Sequence, residues 1–101
     1  MARQNSYYRV NSSENLAATT TSGATRSGAC PAQITKVRIS VTALAYVAVK
    51  GGQGASPTAT VAAGVQLNAG GPEIFTVVEG DKIAAITASG TATVNVTWLE
   101  G

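Results

Sequence analysis

Two stretches of the chain alternate regularly between apolar and polar residues. Within residues 35–41 and 92–99, apolar residues occur at every second position. A period of two is typical of a β-strand that has one buried and one solvent-exposed face. The pattern predicts a strand in each stretch and places Lys36 and Arg38 on the solvent face of the first.

Further stretches are rich in strand-forming residues and are separated by turn-forming Gly, Pro and Asn. They are residues 43–49, 60–67, 73–78 and 83–88. Residues 43–49 are apolar on both faces, which predicts a central strand covered on both sides, either by the core or by a partner. Residues 60–67 alternate, with Val61, Ala63, Val65 and Leu67 on one face.

Regular short strands with turn signals between them predict an all-β fold. We expect one small antiparallel β-sandwich or jelly-roll-like barrel of about six to eight strands. The predicted core consists of Val37, Ile39, Val41, Val47, Val65, Phe75, Val77, Ile83, Ile86, Val94, Val96 and Trp98.

The chain changes character near Pro31. Residues 1–30 are polar and of low complexity, which predicts an extended N-terminal arm, with one possible edge strand at 15–20. Residues 31–101 carry the strand pattern and predict the β-sandwich domain. A chain of 101 residues is expected to form one such domain.

Charge is sparse along the whole chain. Only 12% of the residues are charged, against the usual level of roughly a quarter. A surface with so little charge suggests that much of it contacts other protein. The net charge of +2 is too small and too scattered to favour nucleic acid as a partner. We find no signal peptide and no membrane-spanning run, so we expect folding in a reducing cytoplasm and no membrane partner.

Residues suited to catalysis are scarce. The chain has no histidine, and its one cysteine, Cys30, has no apparent partner base. Glu79 and Asp81 flank a glycine, but a calcium site needs six or more oxygen ligands, and a solvated hairpin turn is the preferred interpretation. Residues 51–54 are glycine-rich, but no helix or GK[ST] follows to bind a phosphate. We therefore predict no catalytic, cofactor-binding or metal-binding residues and no enzyme activity.

The arm contains one group of residues suited to protein docking. It consists of Arg3, Tyr7, Tyr8 and Arg9. Tyrosine and arginine are enriched at interface hot spots. Docking to a protein is the preferred role of this group; packing within the chain, or binding of a base or glycan, remain alternatives.

The part of the chain from Val37 to Trp98 resembles small β-sandwich structural proteins of tailed bacteriophage particles. The segments that carry the resemblance are residues 36–39, 45–49, 56–60, 67–77, 79–86 and 90–97. They form a pattern of strands and turns, such as Glu79-Gly80-Asp81-Lys82, and contain no catalytic signature. The resemblance implies a non-enzymatic virion component made in the bacterial cytoplasm.

Within that family, the sequence favours a capsid decoration (cement) protein. Such a protein would bind the major capsid protein on the capsid surface as a homo-oligomer, with a trimer favoured. The alternatives are a neck, tail or fibre-associated subunit that contacts other virion proteins, and a carbohydrate-binding or adhesion module. The last is less favoured because few aromatic residues are available for a glycan site.

Overall fold

The structure, a computed structural model, describes residues 9–20, 27–50 and 57–100. In these ranges the chain forms strands and turns and no helix. The seven strands are β1 (Arg9–Ala18), β2 (Lys36–Val41), β3 (Ala45–Lys50), β4 (Val65–Leu67), β5 (Glu73–Thr76), β6 (Lys82–Ile86) and β7 (Ala92–Glu100).

The strands form two antiparallel sheets. One has four strands in the order β1-β7-β2-β5, and the other has three in the order β4-β3-β6. The predicted all-β fold with antiparallel pairing is confirmed, and the seven strands fall within the predicted range.

One hydrophobic core is shared by the two sheets. Ile39 and Val96 from the four-stranded sheet and Val47 and Ile83 from the three-stranded sheet are all fully buried in it. Burying a side chain of this size contributes about 1.5–3 kcal/mol. The arrangement is sandwich-like, because each sheet covers the apolar face of the other.

The alternation read from the sequence is confirmed in β2 and in the first part of β7, whereas Thr97, predicted to face solvent, is buried together with Trp98 and Leu99. Val37 and Ile39 are fully buried, whereas Arg38 between them is exposed. In β7, Val94 and Val96 are buried and Thr93 is exposed. The two strands are direct neighbours, so their apolar positions line up on one side of the sheet.

The apolar character of both faces of β3 is explained within the chain itself. Val47 faces the shared core, while Tyr46 and Ala48 lie on the opposite face and pack with a second cluster. This cluster contains Ala59, which is fully buried, and the β6 residues Ala84 and Ile86. Ala59 thus covers part of the outer side of the three-stranded sheet.

The predicted strand at 60–67 is wrong in its first half. Only Val65–Leu67 is a strand, and residues 61–63 form a turn. The turn is closed at Thr60, whose carbonyl accepts the Gly64 N–H at 2.8 Å and whose hydroxyl accepts the Ala63 N–H at 3.1 Å. Hydroxyl bonds to nearby backbone compete with strand pairing.

Two predictions about buried residues are also corrected. Val65 is 44% exposed, since β4 is the edge strand of the three-stranded sheet. Phe75, on the edge strand β5, is only partly buried against the core.

The first strand is longer than the predicted edge strand at 15–20. It begins at Arg9, ends at Ala18, and pairs along its length with β7 at the edge of the four-stranded sheet. The register shifts once, between Val10 and Ser12. Residues 9–18 of the segment that we expected to be an arm therefore belong to a sheet.

Residues 19 and 27–30 lie along the free edge of β6. The Thr19 carbonyl accepts the Thr87 N–H at 2.9 Å, and Ser27 N–H donates to the Ile83 carbonyl at 2.8 Å. Further on, Cys30 N–H donates to the Asp81 carbonyl at 2.7 Å. Partner numbers fall as chain numbers rise, so this segment is antiparallel to β6.

Gly64 is a position where the fold requires glycine. A Cβ there would lie 2.7 Å from the Thr60 carbonyl oxygen and 2.8 Å from the Tyr46 Cβ. We expect Gly64→Ala to lower the free energy of unfolding by about 1–3 kcal/mol, measured by urea denaturation. Gly71→Ala is the matched control, since its nearest neighbour would be the Asn68 carbonyl at 3.9 Å, and its effect should stay within about 0.5 kcal/mol. Equal effects at both positions would contradict the close packing of the turn on β3.

Ser27 is expected to hold the free edge of β6. Its buried hydroxyl accepts the Ile83 N–H at 2.9 Å and donates to the Gly28 carbonyl at 2.7 Å. Ser27→Ala should cost about 1–3 kcal/mol, because it leaves a buried N–H unpaired. Hydrogen exchange should show faster exchange of the Ile83 amide. Ser12→Ala, at an exposed hydroxyl, is the control, and unchanged protection of Ile83 in Ser27→Ala would show that the bond is not formed.

Candidate interaction surface

Of the four predicted docking residues, the structure places one. Arg9 is the first residue of β1, is exposed, and lies directly opposite Glu100 of β7. Arg3, Tyr7 and Tyr8 lie outside the described residues. Arg9 therefore lies at the end of the edge strand of the four-stranded sheet.

The side of the four-stranded sheet that faces away from the core is here called the polar face. It is formed by Ser13 and Asn15 of β1, Thr93, Asn95 and Thr97 of β7, Lys36, Arg38 and Ser40 of β2, and Ile74 and Thr76 of β5. Along each strand these residues alternate with those that face the core, although Thr97 and, opposite Lys36, Leu99 are themselves buried on this side. On the outer side of the three-stranded sheet, Ala59 packs against Ala84 and Ile86.

The centre of the polar face is a hydrogen-bonded network of short side chains. The Asn95 amide donates to the Asn15 side-chain oxygen at 2.9 Å and to the Ser13 hydroxyl at 3.1 Å. The Thr97 hydroxyl donates to the Asn95 side-chain oxygen at 2.7 Å and lies 3.3 Å from the Ser13 hydroxyl. Because these groups hold one another, the surface keeps one arrangement of donors and acceptors.

The charges on the polar face all have one sign. Lys36 and Arg38 lie on it, and none of the acidic residues in the described strands does. Within the part of the chain that the structure describes, neither basic group makes an ion pair or a side-chain hydrogen bond. Both charges are therefore available to a partner.

An exposed apolar side chain lies beside one of these charges. Ile74, on the edge strand β5, is 49% exposed and directly opposite Arg38. On its other side Arg38 is opposite Thr97, which is opposite Ser13. One row across the sheet thus combines an apolar group, a guanidinium group and two hydroxyl groups.

Both edges of the four-stranded sheet carry an acidic residue on the side that faces the core. Glu14 of β1 is opposite Val96, and Glu73 of β5 is opposite Ile39. The Glu14 carboxylate accepts the Gly28 N–H at 3.0 Å. Inward-pointing charges on edge strands oppose pairing with a strand of another chain. The face, rather than the edges, is therefore the surface suited to protein contact.

The Glu79-Gly80-Asp81 turn serves the fold. The Asp81 carboxylate accepts the Val78 N–H at 3.0 Å, and Gly80, at φ 92°, donates its N–H to the Cys30 carbonyl at 3.0 Å. No group of three acidic, histidine or cysteine residues that could hold a metal ion occurs in the described ranges. The turn thus connects β6 to the chain at Cys30.

Cys30 is the one nucleophile that the sequence singled out. Its side chain is 2% exposed, with Sγ 3.5 Å from the carbonyl oxygens of Pro31 and Ile34. Burial raises the pKa of the thiol, and the charges of Asp81 and Glu79 raise the pKa further. Since the thiolate is the reactive form, these surroundings suppress its reactivity.

No helix in the described chain is long and apolar enough to cross a membrane.

Sequence reasoning missed the features that define the polar face. Lys36 and Arg38 were correctly placed on the solvent side of β2, but Ile74 was not expected beside them. Its position opposite Arg38 depends on the register between β2 and β5, which a single sequence does not specify. The Asn95–Ser13 and Asn95–Asn15 bonds likewise join residues about 80 positions apart.

Comparisons with protein-family models, with curated proteins and with solved structures found no match for this chain.

Proposed function

We propose that this protein is a non-enzymatic structural component of a bacteriophage particle, a decoration (cement) protein that binds the major capsid protein lattice and stabilises the head. It would be made in the cytoplasm of the bacterial host and act on the capsid surface. The observation that carries the proposal is a two-sheet module with one weakly charged polar face. The resemblance of residues 37–98 to small virion proteins supports the same proposal.

The order of strand pairing supports a jelly-roll-like arrangement. The pairs are nested: β1 with β7, residues 19–20 and 27–30 with β6, β2 with β5, and β3 with β4. A long hairpin folded over itself into two sheets pairs its strands in this way. With residues 19 and 27–30 in the place of an eighth strand, this pairing order matches that of a jelly roll, an architecture that occurs in viral capsid proteins and in lectins.

Low charge fits a subunit that works in a lattice. The whole chain has only five acidic and seven basic residues. A decoration protein contacts capsid subunits, and each contact replaces charged surface that a free protein would need for solubility. We infer a closed homo-oligomer, with a trimer favoured, in which residues Arg3, Tyr7, Tyr8 and Arg9 reach a neighbouring subunit.

The copy number in purified particles tests the function. We expect quantitative mass spectrometry to find the protein in numbers of the same order as the major capsid protein, because a decoration protein occupies repeated lattice sites. A handful of copies per particle would assign it instead to the neck, tail or fibres. Absence from particles, together with specific binding on a glycan array, would favour the lectin-like alternative.

The proposed docking role of the arm is tested by replacing its two tyrosines. Tyr7→Ala with Tyr8→Ala should weaken incorporation into particles about tenfold or more, since tyrosines at an interface centre often dominate affinity. Tyr7→Phe with Tyr8→Phe is the matched control, because it keeps both rings. Incorporation is measured by adding tagged protein to particles that lack it. Unchanged incorporation of the double alanine variant would show that the arm is not the anchor.

A further inference from the structure

We propose that the polar face is a docking surface for an acidic protein surface, with Arg38 and Ile74 as its central contacts. The inference deepens the proposed function, because it names the face that would meet the capsid, and it depends on that function only for the identity of the partner. It is argued from the charge, the exposure and the size of the face.

The sign of the charge selects the partner. Lys36 and Arg38 are the charged groups on the polar face of the described strands, and both are positive. A second copy placed face to face would bring Arg38 near like charges, which costs energy once water is excluded. Carboxylates of a different protein would instead pair with the guanidinium group, which binds them in a planar, bidentate way.

The neighbours of Arg38 strengthen this contact. Ile74 lies opposite Arg38 and is 49% exposed, so a partner can bury its side chain beside the ion pair. Apolar groups that exclude water around an arginine are typical of interface hot spots. Asn95 is already held by Ser13 and Asn15, so little side-chain entropy is lost when the partner binds.

The alternatives are less well matched to this face. Two basic residues are few for a polyanion, and the net charge of the chain is only +2. The described strands present no aromatic residue on the polar face for stacking on a base or a sugar ring. A protein surface with carboxylates is therefore the occupant that the groups present can recognise.

The size of the face fits a repeated contact. Four strands spaced about 4.8 Å apart, over the length of β7 from Thr93 to Leu99, give an area on the order of 400 Å². A stable interface buries about 800 Å² per partner. One face alone would bind weakly, and several copies held together in an oligomer would bind firmly through their combined contacts.

The first test uses the full-length protein and a probe that is independent of any particle. The probe is a peptide of alternating glutamate and serine residues, titrated at low salt and followed by NMR. Chemical-shift changes are expected at the polar face, around Arg38, Asn95 and Thr97. The affinity for the peptide should be at least about fivefold lower in Arg38→Glu. Lys82→Glu is the matched control, because it makes the same charge change on the other sheet, and it should bind like the wild type.

Several outcomes of this titration would overturn the inference. They are the absence of shifts at millimolar peptide, shifts centred on Lys82, and equal binding by wild type and Arg38→Glu. Stronger binding of a DNA duplex to the same residues would assign the face to nucleic acid instead. Thermal melts of each variant confirm folding, which the exposure of Arg38 leads us to expect.

The second test uses particles that lack the protein. Arg38→Glu and Ile74→Ser should each bind about tenfold less well than wild type. Lys82→Glu and Val61→Ser should bind normally, since Val61 is 41% exposed and lies in the turn before β4 of the other sheet. If wild type and Arg38→Glu bind the particles equally well, the proposed docking face is wrong, while the proposed virion role is supported. If the peptide maps to the face but wild type does not bind particles, the virion role is wrong and the acidic-surface site stands.

Discussion

The antiparallel ladder between β7 and its two neighbours is the interaction on which the rest of this structure depends. β7 is paired with β1 on one side and with β2 on the other, and both neighbours present apolar residues to the same core. Val94 and Val96, on β7, are fully buried at the centre of that core. The same strand carries Asn95 and Thr97 on its other side, which organise the polar face. Core and surface are thus the two sides of one strand.

Pairing the first strand with the last has a consequence for how the fold forms. Asn15 lies opposite Asn95, so residues 80 positions apart in the chain must meet before this ladder can form. The nested pairs inside it, with β3 and β4 innermost, provide shorter-range contacts that can precede this step. Folds dominated by such long-range pairing fold slowly, because loop-closure entropy is lost before the contacts are gained. The bonds of Ser27 and Cys30 to β6 then close the edge that would otherwise stay open to another chain.

The features that could be predicted from the sequence are those that depend on local interactions. The alternation in β2 and in the first part of β7 was readable because there one side is buried and the other faces outward. The strand predicted at residues 60–67 was too long. The apolar alternation there does not reveal the bond from the Gly64 N–H to the Thr60 carbonyl, which turns the chain before β4 begins. The two-sided apolar character of β3 was recognised, but its covering by Ala59 depends on how the intervening chain returns to the sheet.

The candidate site was less predictable than the fold for the same physical reason. The composition indicated a surface made for contact, yet the neighbours of Arg38 on the face come from β5, β7 and, through Thr97, β1. A one-residue slip of β5 against β2 would turn Ile74 toward the core and Phe75 outward, and the apolar group beside the charge would be a different one. The packing of Phe75 against the core opposes that slip. Burial of one aromatic side chain on the inner side therefore determines which apolar group lies beside Arg38 on the outer side, and so links the stability of the sandwich to the specificity of the surface.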